Sequence, residues 1–180
     1  MSASDRRLLA ALACLAACAP AGVGATAARA QEGPKSLIAK FQDWEAHKTR
    51  VGGVTVCYAA AVPKKSRGKY RRRGETSLLI SFWPERKLRG QVEVRAGYRY
   101  KDGSVATLRF NNGAQFKLRA EGDGAWARNE AADRKIVRQL SDRAQLTVTG
   151  RSWRGTLTVD TYSLTGFRAA FARARTACGM

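Results

Sequence analysis

The sequence has 180 residues, with 33 Lys and Arg against 14 Asp and Glu, a formal net charge of +19. That length fits one domain around a single core. The charge says nothing about fold, but it predicts attraction to anionic partners that fades as salt rises. A single histidine strips most acid–base and nucleophile-relay chemistry of its parts.

Residues 1–30 read "MSASDRRLLAALACLAACAPAGVGATAARA". Arg6 and Arg7 form a short positive region, Leu8 to Ala17 an apolar run, and Ala28-Arg29-Ala30 a small-residue cleavage site. This is the layout of a secretory signal peptide, and its apolar run is too short to span a bilayer. Two readings of it stay open. The segment is cut after Ala30, or Leu15-Ala16-Ala17-Cys18 is a lipoprotein box in which Cys18 is lipidated and anchors the chain to the outer membrane. Both predict a periplasmic or secreted protein. Residues 31–36 read as a short linker and residues 37–180 as one domain. After export two cysteines remain, Cys57 and Cys178. In an oxidising compartment the expectation is that they pair, closing a long loop worth on the order of 4–5 kcal/mol. Two buried free thiols, or one reactive thiol, are the rival readings.

From residue 37 the dominant period is two, the mark of half-buried strands. "FQDWEAH" puts Trp44 and Ala46 on one side. "VTVCYAA" alternates Val54, Val56 and Tyr58 against Thr55, Cys57 and Ala59. "SLLISFW" aligns Leu78, Ile80 and Phe82, and "QVEVRAGY" aligns Val92, Val94 and Ala96. Between the second and third of these lies "PKKSRGKYRRRG", residues 63–74, with seven Lys or Arg in twelve positions. Pro63, Gly68 and Gly74 punctuate it, so it reads as a long loop and not a helix.

"ATLRFNNGAQFKLRA" is a hairpin whose register can be deduced. A two-residue Asn112-Gly113 turn would mix the apolar and polar faces. A three-residue loop, Asn111 to Gly113, pairs Phe110 with Ala114, Leu108 with Phe116 and Ala106 with Leu118. That register keeps the faces apart, with Gly113 as the left-handed residue. "NEAADRKIVRQLSD" is a short amphipathic helix behind an Asn129 cap, carrying Ile136, Val137 and Leu140. Two more strands follow, "AQLTVTG" and "TLTVDTYSL". The chain closes on a second helix whose buried stripe is Phe167, Phe171, Ala174 and Cys178. Eight strands and two short helices, without a βα rhythm, point to a mainly β fold. The expected class is an antiparallel β-sandwich of immunoglobulin-like type, with an open barrel carrying helical additions as the alternative.

Enzyme templates fail for want of residues. There is no G-x-S-x-G elbow, no Walker loop, and no G-x-G-x-x-G after a strand. One histidine, His47, and scattered carboxylates make a poor metal site, so neither metal nor cofactor is expected. "EGDGAW" lacks the ligand spacing of a calcium loop and reads as a turn. A hydrolase of envelope polymers would have to bring two of Asp43, Glu45, Glu93, Asp123 and Asp160 together in space. The basic segment carries the binding expectation: Lys64, Lys65, Arg67, Lys69, Arg71, Arg72 and Arg73, with Tyr70 as a stacking surface. Its partner would be an anionic envelope component, lipid headgroups or an acidic protein. Each exposed cation near an anionic membrane contributes about 1 kcal/mol. The bland alternative is a solvated loop on a structural periplasmic protein. Nucleic acid is not expected outside the cytoplasm.

"FQDWEAH", "VCYAAAVPKKSRGKYRRRG", "GDGAWAR" and "DTYSLTGF" before a terminal cysteine resemble, in that order, the invasion-associated locus B family of exported Gram-negative proteins. The resemblance runs from about Leu37 to Cys178. It implies a periplasmic or surface-associated β-sandwich without established enzymatic activity. Some pathogenic relatives are linked to invasion of host cells, while many relatives belong to free-living bacteria, so that role does not transfer by name. This sequence departs from the family pattern in its arginine content and in Trp83 and Trp153.

Overall fold

The computed structural model describes residues 33–180. Residues 1–30, where the signal peptide and the lipidation site Cys18 are expected, lie outside the described residues. So do the first two residues of the linker. The chain is mainly β, with eleven strands and two helices. In chain order the strands are β1 (Ser36–Phe41), β2 (Trp44–Val51), β3 (Val54–Ala61), β4 (Lys65–Gly68), β5 (Ser77–Trp83) and β6 (Leu88–Arg95). They continue as β7 (Val105–Phe110), β8 (Gln115–Glu121), β9 (Gly124–Trp126), β10 (Gln145–Arg151) and β11 (Leu157–Ser163). Helix α1 (Glu130–Asp142) precedes β10, and α2 (Phe167–Ala177) ends the chain.

All pairings are antiparallel and join the strands in one sheet, ordered β1-β2-β3-β5-β6-β9-β8-β7-β10-β11-β4. Chain length forces this sheet to curl. In the sheet β4 stands eight places from β3, which in a flat sheet would be about 38 Å. From Ala61 to Lys65 the backbone can span at most about 14 Å. The two halves therefore wrap toward each other, an arrangement compatible with a sandwich. Their inner faces share one core: Trp44, Ile80 and Val92 from one half meet Leu108, Leu146 and Tyr162 from the other. The Trp44 indole is fully buried and donates to the Ser163 carbonyl at 3.0 Å.

Three strands go beyond the eight expected from sequence. "FQDWEAH" straddles two strands, because Gln42 takes a positive φ of 54° and turns the chain between β1 and β2. Strand β4 has four exposed residues and hence no apolar alternation. Strand β9 is only three residues long, yet it bridges β6 and β8 and joins the two halves.

The 111–113 hairpin adopts the deduced register. Leu108 faces Phe116, Ala106 faces Leu118, and the Phe110 amide donates to the Ala114 carbonyl at 2.9 Å. Gly113 sits at φ 87°. Helix α1 is capped by Asn129, whose side chain accepts from the Ala132 amide at 3.0 Å, and it buries Ile136 and Leu140. Its Asp133 carboxylate accepts from the Val92 amide at 2.9 Å and so ties the helix to β6.

Helix α2 begins at Gly166, at φ 96°, where a Cβ would lie 1.9 Å from the Phe41 carbonyl oxygen. Only glycine permits that approach. Phe167 then meets Trp44 edge-on at 4.8 Å between ring centroids. Cys178 forms a disulfide with Cys57, with Cα atoms 5.8 Å apart and a sequence separation of 121.

Candidate functional site

The basic segment is not one uniform loop. Its middle is β4, which pairs Lys65 with Thr161 and Gly68 with Thr158 along β11. The Lys64 amide donates to the Thr161 carbonyl at 2.7 Å and sets the corner where the chain leaves β3. Beyond Gly68 the chain swings away, and at Arg73 it is pinned again. Arg73 Nη1 and Nη2 donate to the two carboxylate oxygens of Asp160 at 2.7 and 2.6 Å. Its Nε donates to the Ala96 carbonyl at 2.7 Å. The two side chains are 6% and 3% exposed.

Arg73 therefore belongs to the interior and not to the cationic surface. Its guanidinium also lies 5.5 Å from the Tyr70 ring centroid and 5.1 Å from that of Tyr98. Burial works against the Arg73 charge, but the hydrogen-bonded Asp160 carboxylate outweighs it and holds the pKa above the usual arginine value. Burial pushes the nearby Tyr98, Tyr100 and Tyr162 hydroxyls up, so they stay neutral. A buried ion pair of this geometry fixes position more than it stabilises. Here it fixes where residues 69–72 stand.

Those residues form one wall of a groove of about 760 Å³. Lys69, Tyr70, Arg71 and Arg72 face Ser152, Trp153, Arg154 and Thr156 from the β10–β11 turn, over Tyr98 and Thr158. On the floor the Tyr98 hydroxyl and Thr158 Oγ1 hydrogen-bond to each other at 2.6 Å. In the turn the Trp153 amide donates to the Arg99 carbonyl at 2.9 Å, and the Arg154 guanidinium lies 4.7 Å from the centroid of the Trp153 ring. Trp153 remains 57% exposed. The lining holds four cations and no carboxylate.

Of the eight binding residues expected from sequence, Lys69, Tyr70, Arg71 and Arg72 line this groove. Lys65 and Arg67 lie exposed along β4, and Lys64 pairs with Asp43 across a separate hollow. Trp153, Arg154 and Tyr98 were not among the residues expected from sequence. The "RSWRG" stretch, an aromatic between two arginines at a strand turn, was the available signal. Nothing local places it beside residues 69–72; the pairing of β4 with β11 does.

Several other carboxylates are engaged. The hydrogen bond from Lys64 holds Asp43 below its ordinary value, and Lys40, helped by His47, does the same for Glu45. Glu93 pairs with Arg95 at 2.9 Å. Burial raises Asp133, but it sits beneath α1 and not in the groove. His47 stacks on Tyr58 with ring centroids 5.1 Å apart. Among the described residues no three His, Cys, Asp or Glu gather where they could hold a metal ion. No described helix is long and apolar enough to cross a membrane.

The model of the family described as "Invasion associated locus B (IalB) protein" matches residues 44–175. No curated protein and no solved structure matches the chain. The family match runs from the first residue of β2 to within two residues of the end of α2, stopping short of Cys178. It takes in the groove, the Arg73–Asp160 pair and both halves of the sheet. With most of its length so matched, the chain belongs to the invasion-associated locus B family.

Proposed function

We propose that this chain is an exported, non-enzymatic binding module of the bacterial envelope that holds an anionic partner on its cationic surface. The observation that carries the reading is the groove between residues 69–72 and the β10–β11 turn: four cations converge there without one acidic side chain to neutralise them. Such clustering focuses field lines and attracts negatively charged ligands, more strongly at low salt. The interior Arg73–Asp160 pair supports it by holding the wall in place. The Cys57–Cys178 bridge supports an oxidising compartment, hence the periplasm or the cell exterior. An anionic envelope component, such as acidic lipid headgroups or polysaccharide, or an acidic protein is the partner class. A part in host-cell invasion or in envelope integrity is compatible with this chemistry.

A hydrolase would need a protonated carboxylic acid beside a second carboxylate at an open cleft. Asp43 and Glu45 are held ionised by lysines and Asp160 is committed to Arg73. These engagements weigh toward binding.

The test replaces Lys64, Lys65, Arg67, Lys69, Arg71 and Arg72 with Ser and keeps Arg73, whose side chain is buried against Asp160. Retention on heparin and on anionic vesicles should fall, and steep salt sensitivity should survive only in the parent protein. Retention equal to that of the parent removes the basic segment from the function.

A further inference from the structure

Charge alone does not need the shape that residues 69–72 and 152–156 build. The groove places an exposed indole among its cations, and the environment of each aromatic ring narrows the ligand. Tyr70 and Tyr98 both have Arg73 over their rings, and Tyr98 also meets Tyr100 edge-to-face at 5.3 Å between centroids. Tyr98 is half-buried, whereas Tyr70 stays 38% exposed with Arg73 near one face. Trp153 carries Arg154 against its ring yet stays 57% exposed, so it is the larger and more open stacking surface of the groove.

A groove with one open indole and one partly covered tyrosine is a poor match for single-stranded nucleic acid, which is held by a succession of stacked bases. It is a good match for one flat, weakly polar ring at a time. The C–H face of a pyranose carries slight positive charge that complements the negative face of the indole. The acidic groups of the same ring then meet Lys69, Arg71, Arg72 and Arg154. Arginine is the better partner for such groups, because its planar fork grips carboxylate or sulfate in two-point fashion. Three of the four cations are arginines. A lipid surface would use the charges but has no need of a concave wall opposite the indole.

We infer that the groove between residues 69–72 and the β10–β11 turn is a binding site for an acidic polysaccharide, with one sugar ring stacked on Trp153 and its carboxylate or sulfate groups held by Lys69, Arg71, Arg72 and Arg154. This site rests on the reading of the protein as a binder of anions and gives that reading a ligand class.

The experiment compares the parent protein with Trp153→Ala, Trp153→Phe and the triple variant Lys69→Ser, Arg71→Ser, Arg72→Ser. Each is titrated with heparin, with uncharged dextran, with oligothymidylate and with anionic phospholipid vesicles. Trp153→Ala keeps every charge and replaces an exposed side chain, and thermal melting checks that it folds. It should weaken heparin binding about tenfold, as loss of a ring stack does. Trp153→Phe should recover most of that loss, and vesicle binding should be unchanged in both. Dextran should not bind. Heparin affinity unchanged in Trp153→Ala but lost in the triple variant overturns the saccharide site and leaves the anion-binding reading standing. Affinity unchanged in the triple variant as well removes the groove from both. Equal loss of vesicle binding in Trp153→Ala overturns the site by making the indole a membrane anchor. Oligothymidylate bound as tightly as heparin, with the same dependence on Trp153, overturns it in favour of nucleic acid.

Discussion

Replacing Arg73 by Met tests whether one of the seven cations of the basic segment is structural. In the folded protein its guanidinium makes three charge-assisted hydrogen bonds of 2.6–2.7 Å, two to Asp160 and one to the Ala96 carbonyl. Removing it leaves the Asp160 carboxylate, 3% exposed, without its counter-ion. Breaking a buried pair from one side costs about 3–5 kcal/mol, whereas replacing both partners with apolar residues is often close to neutral. Arg71→Met and Arg72→Met, at exposed positions, should each stay within about 0.5 kcal/mol of the parent. Urea denaturation with the disulfide intact measures all of these, along with Asp160→Leu and the double variant Arg73→Met, Asp160→Leu. The double variant should cost well under the sum of the two single changes, with a coupling of several kcal/mol, at or above the top of the usual range for contacting residues. An Arg73→Met effect no larger than that of Arg71→Met would refute the reasoning. So would strict additivity in the double variant, because either result means that the pair is solvated.

Native, non-reduced protein should show no titratable thiol among the described residues, and reduction should lower stability by about 5 kcal/mol for so long a loop. Two reactive thiols at Cys57 and Cys178 would contradict this. Gly113 and Gly166 both have positive φ, but a Cβ at Gly113 meets open space while one at Gly166 strikes the Phe41 carbonyl. Gly113→Ala should therefore cost about 1 kcal/mol and Gly166→Ala several times more; equal costs in thermal melting would deny the close approach. Burial raises the Asp133 pKa in the folded state, so the folded protein takes up its proton at higher pH than the unfolded chain. The ionised carboxyl costs stability above that folded value, and the cost disappears as pH falls toward the unfolded value. Measured against Asp133→Asn, the parent should thus gain relative stability as pH drops from neutrality toward about 4. A flat or opposite difference would count against it. Asp43 is the reverse case: Lys64 lowers its folded value, so its stabilisation is present at neutral pH and fades as pH falls through that lowered value.

The strands that bury a face, the caps and the terminal helix were legible because their signals are local. Alternation in "SLLISFW", the cap at Asn129 and the stripe from Phe167 to Ala174 all lie within one element. The three-residue turn at 111–113 could be deduced because a slip by one residue moves every apolar side chain to the wrong face. The Cys57–Cys178 pairing was the expectation set beside two free thiols or one reactive thiol, and the structure's disulfide selects it. Strand β4 was illegible for the converse reason. It buries no side chain, so its pairing with β11 rests on backbone hydrogen bonds that leave no trace in residue type. "FQDWEAH" concealed the β1–β2 turn, because Trp44 and Ala46 keep a strand's alternation right up to it.

By itself, then, the sequence determined the mainly β class, the two helices and the excess of positive charge, since each depends on composition or on neighbours along the chain. Only the tertiary structure decided where that charge sits. Arg73 and Arg72 are adjacent in sequence and alike in chemistry. One is drawn into the interior by Asp160, 87 residues away in the chain, and the other lines a groove opposite Trp153. That division arises from the curling of the sheet, which brings β4 from the end of β3 to the far edge beside β11. Contacts across such separations are set by the closure of the whole core, and no local pattern encodes them.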